Sequence, residues 1–284
     1  MKRWLITLFF YSVFGQMYGQ SLPAYQIFNA KGKKVTYGKM ERRLAKKDII
    51  LFGEIHNNPI NHWLQLKLVK DFFTKRNLIL GLEMLETDNQ KQIDRYLNGE
   101  VAHIRSDTSL RLWGNYDTDY APLVEFSKQH KIPVIATNVP ARYAKDVYRY
   151  GFKALEGLSE NALAFMAPQP MPFDPELKTY QDILSMMEHH GTPELVMAQA
   201  LRDATMAHFI LKNYTSGSLF LHINGTYHSE YYEGILWYLL KSDPDMQYAT
   251  IATTNQLELK KLLEENKGKA DFIIVVDEDM TETH

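Results

Sequence analysis

Ile49-Ile50-Leu51-Phe52-Gly53-Glu54-Ile55-His56-Asn57-Asn58 is the stretch on which the fold turns. Its first four residues are continuously apolar, which is the pattern of a short strand buried on both faces. A polar cluster follows at once, and from Trp63 to Phe73 the apolar spacing becomes helical. The same alternation recurs along the chain. Leu78–Leu82 is a second apolar run, with a polar helical stretch near Asn89–Leu97 behind it. Ile132–Ala136 is a third, and Pro140 stands where it can open the next helix. Leu219–Ile223 is a fourth and is followed by a helix over Glu230–Leu240. Tyr248–Ala252 and Phe272–Val276 complete the set, with a charged helix expected between them over Leu257–Glu265. Continuous apolar strands alternating with helices predict an α/β fold, a mostly parallel central sheet flanked by helices.

Two segments stand outside that rhythm. Tyr25-Gln26-Ile27-Phe28, then Lys31-Gly32-Lys33, then Val35-Thr36-Tyr37 read as an N-terminal hairpin lying at a sheet edge. The interval Asn138–Ser218 is longer than a crossover needs. Its proline-rich centre, Ala167 to Pro175, cannot be regular helix. Helical segments near Ala154–Met166, Glu176–His190 and Pro193–Asn213 surround that centre and predict a helical cap at about residues 151–215. The cap holds Met166, Met171, Met186, Met187, Met197 and Met206, half of the chain's 12 methionines. Methionine fills irregular cores and also lines apolar pockets, so the count alone leaves both readings open.

Composition narrows the chemistry. There is no cysteine, which excludes disulfides, thiolate metal sites, Cys nucleophiles and a cysteine-linked lipid anchor. With 32 basic and 34 acidic residues, the chain lacks the basic surplus of a nucleic-acid binder. Lys2 and Arg3 precede the apolar run Trp4–Met17, and Gly19 follows. That run is short of the roughly 20 residues of a membrane span and fits a secretory signal peptide over residues 1–19. Residues 20–284 then form one domain, whose net charge falls from −2 to −4 when the two N-terminal cations are removed.

Polar groups gather where the buried runs end, which in an open α/β sheet is where sites form. Glu54 and His56 close the first run and, in extended geometry, point the same way. Glu83 closes the second. Asn224-Gly225-Thr226-Tyr227-His228 closes the fourth. Asn138 and Arg142 follow the third with an amide and a cation. Gln199, Arg202, Asp203 and Met206 share one helical face through their spacing. Glu54, His56, Glu83 and His228 could act as catalytic acids and bases. His56, Glu83 and His228 could equally hold a divalent metal ion, and spacing does not separate the two.

These motifs together resemble the ChaN family of haem-binding uptake proteins in the Tiki/ChaN-like superfamily. The resemblance rests on Gly53-Glu54-Ile55-His56-Asn57 with His62-Trp63-Leu64-Gln65, on Gly81-Leu82-Glu83-Met84, on Ala198 to Ala207, and on Asn224 to His228. It implies a parallel α/β core under a helical cap, export to the periplasm or medium, and a role in haem or iron uptake. Haem is the implied cofactor, held by residues among Asn138, Arg142, Gln199, Arg202, Asp203, Met206, Asn224 and Tyr227. An outer-membrane or periplasmic uptake system and a homodimeric partner follow from the same likeness. Tyr180, His189, His190 and His208 in the cap are further axial-ligand types. The alternative is a hydrolase of the Tiki or erythromycin-esterase kind, built on Glu54, His56, Glu83 and His228. Relatives of ChaN are commonly lipoproteins, and a chain without cysteine departs from that pattern.

Overall fold

In the first buried run every side chain of β3 (Ile49–Glu54) is removed from solvent, as a strand covered on both faces requires. The computed structural model describes residues 23–187 and 191–284. The export signal read at residues 1–19 and the pair His189-His190 lie outside the described residues. Among the described residues no helix is long and apolar enough to cross a membrane.

The chain opens with the hairpin β1 (Tyr25–Asn29) and β2 (Lys34–Val35). Gly32 takes φ +75° in its turn, a left-handed conformation that glycine adopts without cost to a side chain. Helix α1 (Tyr37–Leu44) leads into β3 and is capped by Thr36, whose side chain accepts from the Lys39 N–H. After β3, Asn58 caps α2 (Pro59–Phe73), with Pro59 in its first turn. Then come β4 (Leu78–Glu86), α3 (Gln90–Leu97), α4 (Ala121–His130) and β5 (Val134–Asn138). Between β5 and the next strand lie α5 (Ala141–Tyr150), α6 (Glu160–Leu163), α7 (Lys178–Met186) and α8 (Pro193–Asn213). The chain returns through β6 (Leu219–Gly225), α9 (Ile235–Ser242), β7 (Tyr248–Gln256) and β8 (Phe272–Asp277).

The eight strands form one sheet in the order β2-β1-β8-β7-β3-β6-β4-β5. All pairs from β8 across to β5 are parallel, whereas β1 runs antiparallel to both β8 and β2. The hairpin therefore extends the edge of the sheet. Alternate residues of β3 feed two cores. Ile50 and Phe52 pack with Met40, Leu64, Leu68 and Phe72 from α1 and α2. Ile49 and Leu51 pack with Ala204, Met206 and Ile210 of α8 and Ile235 and Leu239 of α9. This period-two division explains why the strand reads as continuously apolar.

Some expected helices are shorter or missing. Leu257–Glu265 forms no α-helix, only the start of a 3-10 turn at Glu264–Asn266: buried Gln256 donates to the Glu258 and Lys261 carbonyls and accepts from the Leu263 N–H, so side-chain bonds organise a loop. Within Ala154–Met166 only the single turn of α6 is α-helical, after Gly157 at φ +75° interrupts the chain. The helix expected from Glu230 begins at Ile235, because Tyr231 and Tyr232 both take positive φ.

Candidate functional site

Strands β3, β4, β5 and β6 are neighbours, so their C-terminal ends bring the sequence-distant polar residues together. Glu54 is the last residue of β3 and is buried. Its Oε1 accepts from the Tyr120 hydroxyl at 2.6 Å and lies 2.9 Å from His56 Nδ1, while its Oε2 accepts from the Gln65 amide. His56 keeps its ring 40% exposed and sets it edge-on against Trp113, with centroids 4.9 Å apart. The ring fits because Gly225 lies beside it: a Cβ on that glycine would sit 2.7 Å from His56 Nε2.

Behind this dyad lies a second set of charges. β4 runs on past its regular pairing with β5 and carries Glu83 into the interior. Glu83 Oε2 accepts the Gly225 N–H at 2.6 Å, and its Oε1 lies 3.3 Å from His228 Nε2. His228 Nδ1 lies 2.5 Å from Asp203 Oδ1, and Asp203 Oδ2 accepts from the Tyr180 hydroxyl at 2.9 Å. His228 is thus an imidazolium between two buried carboxylates. Burial works against its charge, but Glu83 and Asp203 outweigh burial and push its pKa up to about 10. For Glu83 burial opposes ionisation, and the His228 charge, helped by His56 and the Gly225 N–H, holds it below the ordinary carboxylate range. Asp203 goes the other way, because burial outweighs its bond to His228 and raises its pKa. His56 is lowered by burial but raised more by its Glu54 bond and the Glu83 charge, so the net shift is upward.

Asn224 and His222 belong to the floor of the site. Asn224 Oδ1 lies 3.0 Å from His222 Nδ1, which makes that nitrogen the donor, and Thr137 Oγ1 lies 2.8 Å from Nε2. Burial drives His222 down to about 4, so it is a neutral, fully bonded core histidine. Glu54, His56, Glu83, Asp203, Asn224 and His228 are therefore brought together. Among the described residues no group of three or more His, Asp or Glu side chains is arranged to hold a metal ion. The ring nitrogens of His228 and the Nδ1 of His56 are turned toward carboxylates, which accounts for the lack of a divalent site at His56, Glu83 and His228.

The other sequence-derived residues divide. Gln199 lies against His228 at 3.0 Å, and Arg202 donates to Asn138 Oδ1 at 3.2 Å. Arg142 turns away from the cluster and pairs with Asp88 at 2.6 Å. Met206 is fully buried in the α8–α9 core. Tyr227 is exposed and directs its hydroxyl to Met186 Sδ, 3.3 Å away. Tyr180 is fully buried, its hydroxyl taken by Asp203, and half-buried His208 packs edge-on against Phe209.

Gln199 and Arg202 also line a surface groove of about 380 Å³ between α5 and α8. Ala141, Ala144, Lys145 and Tyr148 supply one wall, and Leu195, Ala198, Gln199 and Arg202 the other. Each set has the i, i+3, i+4, i+7 spacing of one helix face, so the α5 wall was readable in the sequence as a small-small-Lys-Tyr pattern. Tyr148 and Lys145 escaped notice because they sit outside the strand-end motifs. Tyr120, Trp113 and Gln65 escaped as site residues because only the folded chain brings them to Glu54 and His56.

A sequence profile of the family described as haem-binding uptake, Tiki superfamily, ChaN, matches residues 40–239. The chain belongs to the ChaN family. Among solved structures it is similar to ChaN of Campylobacter jejuni, described by its cofacial haem binding, with TM-score 0.67 and 17% identity over 89% of this chain and 97% of that one. It is also similar to a Bacillus cereus protein, with TM-score 0.52 and 10% identity over 89% of this chain and 95% of that one. A succinoglycan biosynthesis protein matches with TM-score 0.52 and 12% identity over 84% of this chain and 89% of that one. No curated protein matches the sequence. At these identities the ChaN-family chain shares the fold of its structural neighbours, and its site must be argued from its own residues.

Proposed function

We propose that this protein carries haem in the groove between α5 and α8, as an exported component of haem uptake. One observation carries the placement: an apolar floor, a phenol and two cations line the same groove. Ala141, Ala144 and Ala198 leave a slot, Tyr148 is 45% exposed beside it, and Lys145 and Arg202 flank it. Haem offers a flat apolar ring, an iron that accepts an axial tyrosine, and two carboxylates, and this lining answers each part. In this reading Tyr148 would hold the haem iron through its phenol oxygen, and Lys145 and Arg202 would pair with the propionates.

The family match and the cofacial haem binding of Campylobacter jejuni ChaN support haem as the cargo. Cofacial binding, if shared, needs rings held at an open surface and a second copy of the chain facing the first. A groove on two surface helices is compatible with that arrangement. Export through residues 1–19 would deliver the chain to an outer-membrane or periplasmic uptake system. Haemin titration tests the reading. A Soret band should grow to saturation near one equivalent, and Lys145→Glu with Arg202→Glu should weaken binding at least tenfold. A wild-type spectrum unchanged at an equimolar ratio would overturn it.

A second reading, a hydrolase, is favoured by the Glu54–His56 dyad. The carboxylate orients Nδ1, and Nε2 of the half-exposed ring has no bonded protein partner among the described residues. That is the arrangement of a general base and its orienting acid. His56→Ala should then abolish turnover. Wild-type protein inert toward ester and peptide panels would remove this reading.

A further inference from the structure

The segment Lys31–Lys47 carries eight cations, Lys31, Lys33, Lys34, Lys39, Arg42, Arg43, Lys46 and Lys47, and one acid, Glu41. Its net charge of +7 leaves −9 for the remainder of a chain whose total is −2. Seven of the eight cations are exposed, and among the described residues none of the eight forms an ion pair. Glu41 is buried and occupied by Lys75 at 2.7 Å. The nearby acids are also engaged: Asp48 accepts from the Gln247 N–H and Tyr214, and Asp271 accepts from the Thr250 N–H.

The fold gathers these cations on one side. Lys39, Arg42, Arg43 and Lys46 of α1 and the turn after it line a groove with Asn29, the last residue of β1. Arg43 and Lys47 also border Ala249 and Phe272, at the starts of β7 and β8. The patch therefore lies at the N-terminal ends of the parallel strands, the pole opposite Glu54, Glu83 and His228.

We propose that this face docks the protein on a bilayer carrying anionic phospholipid headgroups. Unpaired lysines and arginines concentrated on one face are the electrostatic signature of such docking. A planar surface can meet the patch without reaching the negative remainder of the chain, whereas a long polyanion would run on past it. Docked this way, the strand-end pole stays open to solution.

Co-sedimentation of the full chain with vesicles tests the proposal, using pure phosphatidylcholine or a mixture with phosphatidylglycerol. Binding should require phosphatidylglycerol and weaken steeply as salt rises. Arg42→Glu/Arg43→Glu/Lys46→Glu should reduce it at least tenfold, with haemin affinity unchanged. Lys31→Glu/Lys33→Glu/Lys34→Glu, on the hairpin rather than the helix, should reduce it as well and guards against a folding defect in the first variant. Equal binding to neutral vesicles, undiminished binding by both variants, or tighter binding to a DNA duplex than to the vesicles would overturn the proposal.

Discussion

The strand-end cluster and the α5–α8 groove meet at Gln199 and differ in nearly every other respect. In the cluster, Glu83, Asp203 and His228 are buried and their charged atoms face one another. In the groove Ala141, Ala144, Ala198 and Leu195 supply the apolar part of the walls, and Lys145 and Tyr148 are exposed. The first arrangement is suited to holding loops and tuning protons. The second has room for a flat ligand. The same helix α8 serves both, turning Asp203 to the cluster and the buried Ala198 toward α5 within two turns.

The sharpest way to break the comparison is to empty the cluster. His228→Ala leaves two buried carboxylates without their cation and should cost about 3–5 kcal/mol in denaturant unfolding. Loss of haem binding in that variant should track unfolding alone. Gly225→Ala is expected to cost about 1–3 kcal/mol, since its Cβ would meet His56 Nε2 at 2.7 Å and force the ring aside. Any ester or peptide turnover should fall with it.

The two buried histidines sharpen the contrast through pH. His228 has its pKa raised from the ordinary histidine value of 6.5 to about 10, so its stabilisation is complete below about pH 6.5 and lost as pH rises toward 10. His222 is lowered to about 4 and stays neutral in the fold, so it costs nothing above about pH 6.5 and destabilises as pH falls toward 4. Their joint contribution peaks near pH 6.5. Thermal unfolding from pH 4 to 10 checks this, and His222→Asn should flatten the acid side only. The smallest effect belongs to Arg142→Ala. Its exposed pair with Asp88 is worth about 0–1 kcal/mol, and haemin affinity should not change.

Much of this was legible in the sequence, for identifiable reasons. Runs such as Ile49–Phe52 are continuous because both faces of the strand are covered, and that pattern survives without knowledge of the partners. Glu54, His56, Glu83 and His228 stood out because polar residues at the ends of buried strands are costly unless they are used. Legibility failed where side chains replace periodicity. Gln256 builds its loop by bonding backbone groups that a helix would otherwise have paired, and the charged residues around it mimic a solvated helix face. Arg142 looked like a free cation because its partner, Asp88, is 54 residues away. Met206 looked like a ligand-side residue, yet its helix face turns to the sheet.

The central claim is that haem is held by Tyr148 in the groove and not by the strand-end histidines. Haemin-loaded Tyr148→Phe and His56→Ala proteins, compared by visible absorption with the wild type, test it most directly. Tyr148→Phe should lose the phenolate-to-iron charge-transfer band and weaken binding at least tenfold, while His56→Ala keeps the wild-type spectrum. A wild-type spectrum in Tyr148→Phe, with the change appearing in His56→Ala, would contradict the account and move the haem to the strand ends.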